Sequence, residues 1–267
     1  MLAIYKGVEH LSSTLNSIFN QEVSFDYEVI LVSDGNTDTD VERIKEICKE
    51  KVILIINKTN LGLTKSLIAG IDVAKGKYIA RIDVGDLMCR RDRLQRQFDI
   101  LESYPNAVIT GHRYYLYSSY FKRLFASKPL KENYVVVEDG HTLFGHVTVC
   151  FSRKAYHLAG GYNIGMKTGQ DTELWPRLLK HGIAVADNEF YTLVSMFDSA
   201  ISVNRNTEQY VNKIKRSFAA GNYIVMSISL VKLLIPRKLR LYLMYNKAYL
   251  RLKSVRSWEE AKVEYCG

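Results

Sequence analysis

The early part of the chain repeats one pattern: a short apolar, β-branched run, a polar turn, then an amphipathic helix. The runs lie at 27–33, 52–56 and 78–82, and residues 1–5 read as the end of another. Between them, apolar residues recur at helical spacing: Leu11, Leu15, Ile18 and Phe19, then Val41, Ile44, Ile47 and Cys48, then Leu63, Leu67, Ile71 and Ala74. Asp38 or Thr37 is placed to cap the second helix. Strands joined through helices run the same way, so the pattern predicts an α/β fold with a mainly parallel sheet flanked by helices.

A fourth helix follows, with Leu94, Phe98 and Leu101 inward, and Pro105-Asn106 ends it before a strand at 107–110. From His112 to Cys150 the chain is aromatic and β-prone without clear periodicity, which predicts irregular strands and loops. Residues 146–151 read as a strand, 160–162 as a turn, and 171–181 as a short helix. With 267 residues, 47% of them hydrophobic, the chain can bury a full core. Its four cysteines are scattered, with no C-x-x-C pair, which points to free thiols in a reducing compartment. No basic-then-apolar leader opens the chain.

Acids stand at the carboxyl ends of the runs: Asp34 after the second, and Asp83 and Asp86 after the fourth. Parallel strands bring such ends to one edge of the sheet, where ligands bind in open α/β folds. Carboxylates there are costly to desolvate unless something pairs with them, and a divalent cation with its phosphates is such a partner. Taken singly, Asp34 also reads as a turn residue and helix cap, and Asp83 and Asp86 as turn residues. Neither G-x-G-x-x-G after the first strand nor G-x-x-x-x-G-K-[ST] occurs, which argues against dinucleotide enzymes and P-loop NTPases.

The joint order of several short stretches is more specific than any one of them. Ile4-Tyr5, Val32-Ser33-Asp34-Gly35-Asn36 and Asn60-Leu61-Gly62 come first. Arg81-Ile82-Asp83-Val84-Gly85-Asp86, Gly160-Gly161-Tyr162 and Gln170-Asp171-Thr172-Glu173-Leu174-Trp175 follow. In that order the chain resembles glycosyltransferase family 2, with the GT-A nucleotide-sugar-binding, Rossmann-like fold, over residues 1–205. The resemblance implies an inverting transferase that uses a nucleotide-diphospho-sugar donor, Mg²⁺ or Mn²⁺, and a glycan or lipid-linked acceptor. By position, Tyr5 flanks the base, Asp34 accepts a hydrogen bond from it, and Asp83 contacts the ribose and the metal. Asp86 is the stronger metal ligand and Asp171 the general base, while His146 and Trp175 lie on the acceptor side. The alternative is a catalytically weak relative that binds nucleotide sugar or a partner. Ser33 and Gly85 stand where acids are common in the family. The first strand is nearly missing, as an upstream start codon or a truncated chain would leave it.

The chemistry is consistent with those residue types. Cleaving a sugar–phosphate bond leaves a diphosphate whose growing charge a hard cation held by carboxylates offsets. The attacking hydroxyl must lose a proton on the opposite face of the anomeric carbon, which calls for a carboxylate base.

The net charge of +9 is unevenly placed: residues 205–267 hold 13 Lys+Arg against 4 Asp+Glu. The organisation expected is a catalytic domain at 1–204, divided into a nucleotide half (1–110) and an acceptor half (111–204), with a basic helical tail at 205–267. In that tail a helix from Arg237 to Lys253 interleaves cations with Leu239, Leu243 and Leu252. Such a helix either lies in an anionic membrane interface or caps the catalytic domain with a solvated basic face. The apolar run at 223–235 is interrupted by Lys232 and too short to span a bilayer. No recognition motif for nucleic acid accompanies the charge. The expected setting is cytoplasmic, peripheral on the inner face of the cytoplasmic membrane, in surface polysaccharide or lipopolysaccharide synthesis.

Overall fold

The computed structural model describes residues 1–130, 132, 134–137 and 145–196. Beyond these it describes 211, 214, 215, 217, 218, 221, 223–234, 249–254 and 257–266. Two compact units emerge. The first comprises Met1–Tyr115, Pro129–Val194 and Lys262–Gly267; the second comprises Leu116–Lys128 and Ser195–Ala261. This division differs from single cuts at 110 and 204, because the last residues return to the first unit.

In the first unit β1 (Leu2–Ile4), β2 (Ile30–Asp34) and β3 (Ile53–Asn57) form a parallel sheet in the order β1-β2-β3. Helices α1 (Leu11–Phe19), α2 (Asp38–Cys48) and α3 (Leu63–Val73) connect and cover these strands. The helical spacing predicted all three, and Thr37 caps α2 by accepting from the amide of Asp40 at 3.2 Å. Alternation along β2 sends Val29 and Leu31 into one apolar cluster with Leu11, Leu15 and Ile18 of α1, and Ile30 into another with Leu67 and Ile71 of α3. Full burial of each such aliphatic side chain contributes about 1.5–3 kcal/mol before chain entropy is counted.

Then come β4 (Tyr78–Ala80), β5 (Leu87–Met88), α4 (Arg93–Ser103), β6 (Ala107–Ser118), β7 (Arg123–Ser127), β8 (Tyr134–Val137) and β9 (Cys150–Ser152). Helices α5 (Arg153–Leu158) and α6 (Gln170–Leu178) precede the long strand β10 (Ile183–Met196). Here the expectation of a mainly parallel sheet is corrected. Strand β4 pairs with β9, β9 with β6, and β10 with β5 and β8, all antiparallel. Once the βα repeat stops at β4, no helical crossover holds successive strands in one direction. Strand β10 was not read from the sequence, because Asp187-Asn188-Glu189 breaks its apolar alternation. Residues 146–148, expected as strand, form a 3₁₀ turn.

In the second unit β11 (Tyr249–Ser254) pairs antiparallel with β7, and α7 (Tyr223–Leu234) matches the apolar run. The expected basic helix is therefore a strand from Tyr249 onward; its earlier part, 237–248, lies outside the described residues. Helix α8 (Trp258–Cys266) closes the chain. Cys89 and Cys266 form a disulfide, against the expectation of free thiols, which holds for the buried Cys48 and Cys150.

Candidate active site

The carboxyl ends of β1, β2 and β4 carry Tyr5, Asp34 and Asp83. Tyr5 is 48% exposed, with the Lys6 ammonium 5.3 Å from its ring centre. The side-chain amide of Asn36 ties the first two strand ends together, donating to the carbonyl of Ile4 (2.9 Å) and to Ser33 Oγ (2.8 Å). Ser33 thus serves as an internal acceptor at the position where the family often has an acid.

Asp34 is buried, and its carboxylate is engaged on both oxygens. Oδ1 accepts from Leu61 N (2.9 Å) and Asn57 Nδ2 (3.0 Å), and Oδ2 from Gly62 N (2.9 Å). These bonds fasten the Asn60-Leu61-Gly62 loop, at the start of α3, across the end of β2. Gly35 is the residue this loop crosses, at φ +73°, and a Cβ there would collide with the backbone of Asn60.

Asp83 to Asp86 form a β-turn closed by Asp86 N donating to Asp83 O at 3.1 Å. Gly85 holds its third position at φ +102°, which side-chain-bearing residues avoid. Thr14 of α1 clamps the turn, accepting from Gly85 N (3.0 Å) and donating to Asp86 O (2.9 Å).

Two buried arginines lie under the turn. Arg81 donates to Asp83 Oδ1 (2.7 Å) and to the carbonyl of Met1 (3.1 Å). Arg93 donates to the carbonyls of Arg81 (2.6 Å) and Val147 (2.9 Å). Burial pulls the Arg93 pKa down to about 9, with Cys150 and Asp86 opposing, so it stays charged at neutral pH. Neither arginine was singled out from the sequence. The available signal was the spacing of Arg81 and Asp83, two apart and so on one face of a strand.

Across the site, α6 begins with Asp171 in its first turn after Gly169 at φ +70°. Arg177 holds the helix to the Gly160-Gly161 turn: it donates to Gly161 O at 2.8 Å and to the carbonyl of Ala159, and pairs with Glu173. That turn delivers Tyr162, whose hydroxyl lies 2.7 Å from His146 Nε2. Burial pushes the Tyr162 pKa well up; Arg81 opposes this, while Tyr156, Asp171 and Asp83 add to it. Desolvation, then Arg81, pushes His146 well below the usual imidazole range, so its ring is neutral. Trp175, expected on the acceptor side, is fully buried, with ring contacts to His146 and Phe151.

Residues 2–160 match the profile of glycosyl transferase family 2. The chain belongs to this family. It is 28% identical over 187 residues to the amylovoran biosynthesis glycosyltransferase AmsE of Erwinia amylovora, covering 67% of each chain. EpsE of Bacillus subtilis is 29% identical over 187 residues, covering 68% of this chain and 66% of that one. The chain thus spans about two thirds of the length of these relatives. The structure of S. aureus TarS residues 1–349, solved with UDP, superposes with a TM-score of 0.56. That match has 13% identity and covers 90% of this chain and 67% of that one, which shows the shared GT-A-type fold. This family 2 member is a glycosyltransferase of mixed α/β architecture. No helix among the described residues is long and apolar enough to cross a membrane.

Among the described residues no group of three His, Cys, Asp or Glu side chains stands ready to hold an ion. Two carboxylates on one turn do fit a cation that shares its ligands with a substrate diphosphate, which is how Mg²⁺ is commonly held. Asp83 is the more open of the two: its side chain is 40% exposed and Arg81 occupies one oxygen.

Proposed function

We propose that this transferase inverts the anomeric centre while moving a sugar from a nucleotide-diphospho-sugar to a glycan or lipid-linked acceptor in surface polysaccharide synthesis. The observation that supports the reading is the placement of Tyr5, Asp34 and Asp83 at the carboxyl ends of β1, β2 and β4, with Asp171 in the first turn of α6.

In this reading Asp171 takes the proton of the attacking hydroxyl, a role worth about 10²–10⁴ in rate. Tyr5 flanks the base, and Asp34 shapes the loop that borders it. Asp83 and Asp86 would hold Mg²⁺ or Mn²⁺, which would supply positive charge against the diphosphate leaving group. Neutral His146 and Tyr162 line the acceptor side. The naming of AmsE for amylovoran biosynthesis supports the acceptor class, and the UDP complex of TarS supports the donor class.

The direct test is a panel of UDP-, GDP- and dTDP-sugars with Mn²⁺ or Mg²⁺, read by release of nucleoside diphosphate. Release that falls in Asp171→Asn and Asp86→Ala is expected. No release by the unaltered chain with any donor would sink the enzyme reading.

We further place the protein at an anionic membrane surface. The basic excess of residues 205–267 supports this, as do α7 side chains that face outward, including Ile224 (75% exposed) and Val231 (61%). Sedimentation with phosphatidylglycerol vesicles, lost on I224S/I228S/V231S, is the expected result; equal sedimentation of both proteins would reject it.

A further inference from the structure

Strands β4 and β9 pair from Tyr78↔Ser152 to Ala80↔Cys150, and one further bond follows, from Arg81 N to Val149 O (2.9 Å). Past it the two stretches part. One runs on into the turn of Asp83 and Asp86; the other is the 3₁₀ turn of residues 146–148, which carries His146. Thr148 closes that second turn on Gly145 O through its amide (3.0 Å) and its hydroxyl (2.8 Å).

Arg93 stands between the two turns. Its side chain is wholly buried, and a single nitrogen, Nη2, donates to both Arg81 O (2.6 Å) and Val147 O (2.9 Å). The first carbonyl lies two residues before Asp83, and the second belongs to the residue after His146. Gln97, one helical turn further along the same face of α4, donates to the next carbonyl, Thr148 O (2.8 Å). The start of α4 is itself pinned. Just past the end of α1, Gln21 accepts from Leu94 N (3.0 Å) and donates to Arg90 O (2.8 Å). Helix α1 also supplies Thr14, which clamps the acid turn.

Stability does not account for an arginine at this place. Arg93 Nε and Nη1 are buried and find no acceptor among the described residues. A buried guanidinium with nitrogens left unbonded costs free energy that an apolar side chain of similar volume does not. What arginine adds is geometry, because its donors are held in a rigid plane.

We propose that Arg93 is a positioning residue: by holding Arg81 O and Val147 O on one nitrogen, it fixes the spacing between the acid turn and His146. With that spacing it sets the register of donor and acceptor. This rests on the site reading given above, in which Asp83 and Asp86 face the diphosphate and His146 the acceptor. A misplacement of about 1 Å caused by a remote residue can cost about 10²-fold in rate, so a loosened bridge lowers turnover.

Two variants test it. Arg93→Lys keeps the charge without the planar fork, and Arg93→Met keeps neither. Amide hydrogen exchange is read at Gly85, bonded to Thr14 Oγ1, and at Thr148, bonded to Gly145 O. Leu31, in the middle strand of the parallel sheet, gives the reference for global opening. Exchange at Gly85 and Thr148 is expected to quicken at least tenfold in both variants, beyond any change at Leu31. The same factor at all three amides, which a purely structural residue would give, overturns the proposal. So does quickening in one turn alone. If Arg93→Met does not fold, Arg93→Lys decides. With a UDP-, GDP- or dTDP-sugar that the unaltered chain cleaves, kcat is expected to fall at least tenfold in Arg93→Lys at nearly constant donor KM. An unchanged kcat likewise overturns the proposal. Exchange needs no turnover, so a donor panel without release sinks the enzyme reading while the exchange rates still decide the bridge.

Discussion

Arg81 and Asp83 form an ion pair of 2.7 Å in which the guanidinium is wholly buried while the carboxylate reaches solvent. The pair couples the stability of β4 to the acid turn, so Asp83 has a structural role beside its proposed chemical one. Removing one member of a buried pair costs about 3–5 kcal/mol, and the open side of Asp83 lowers this to roughly 2–3 kcal/mol. Asp83→Ala is therefore expected to lower both the melting temperature and activity. Urea denaturation checks it, and activity must be measured where the variant is still folded.

Asp34→Asn is expected to destabilise by about 2–3 kcal/mol, because an amide NH₂ would then face the N–H of Leu61 or Gly62. Asp34→Ala, which leaves all three donors without their acceptor, should cost at least as much. Equilibrium unfolding gives the values. A stability change below about 0.5 kcal/mol in both would show that the loop is held by other contacts.

Gly85→Asp restores a residue type that the family often has there, yet the turn predicts a loss. A side chain at φ +102° is strained by roughly 1–2 kcal/mol, and the shifted backbone would disturb the bond from Gly85 N to Thr14. Thermal melting should show a lower midpoint, with no gain in metal-dependent activity. A stabilised, more active variant would contradict this account of Gly85.

Asp171→Asn should separate chemistry from folding. Turnover falls about 10²–10⁴-fold. Stability changes by no more than about 1 kcal/mol, the usual effect of one acid in a first helical turn. Donor KM stays nearly constant, as a base acting on the acceptor requires. A matching loss of stability would return Asp171 to a helix-terminal role.

The Met1 ammonium predicts a pH dependence for the chain beginning there. Its pKa is about 5 in the folded state against 8.0 ordinarily. Above pH 8 neither state holds the proton, so no penalty applies. As pH falls from 8 to 5 the unfolded chain binds the proton and the folded chain does not, so stability drops. The loss approaches about 4 kcal/mol and levels off below pH 5. Arg81 and Arg93 deepen this loss, and Cys150 and Glu28 lessen it. Unfolding free energies across this range check it, and Nα-acetylation is expected to flatten the curve.

Much of the first unit was legible because it is written in local patterns. The faces of α1, α2 and α3 follow from helical spacing, and Thr37 caps where a hydroxyl before a helix should. The order of short motifs was enough to identify the family, since each strand end had to carry its own residue. Trp175 shows the opposite case: its motif placed it near an acceptor, and only packing against Phe151 and His146 put its ring in the core.

By itself, the sequence determined the strands and helices of the βα repeat, the acids at their ends, and the family. Direction and partnership were decided by the tertiary structure. Antiparallel pairing of β4 with β9 depends on residues some seventy positions apart, which no local period encodes. Likewise, whether a carboxylate faces a ligand or the protein depends on which donors arrive beside it from elsewhere in the chain. Asp34 is met by Asn57, Leu61 and Gly62, and Asp83 by Arg81. Those meetings are set by how the strands pack, because a charge leaving water takes the nearest donors the fold supplies.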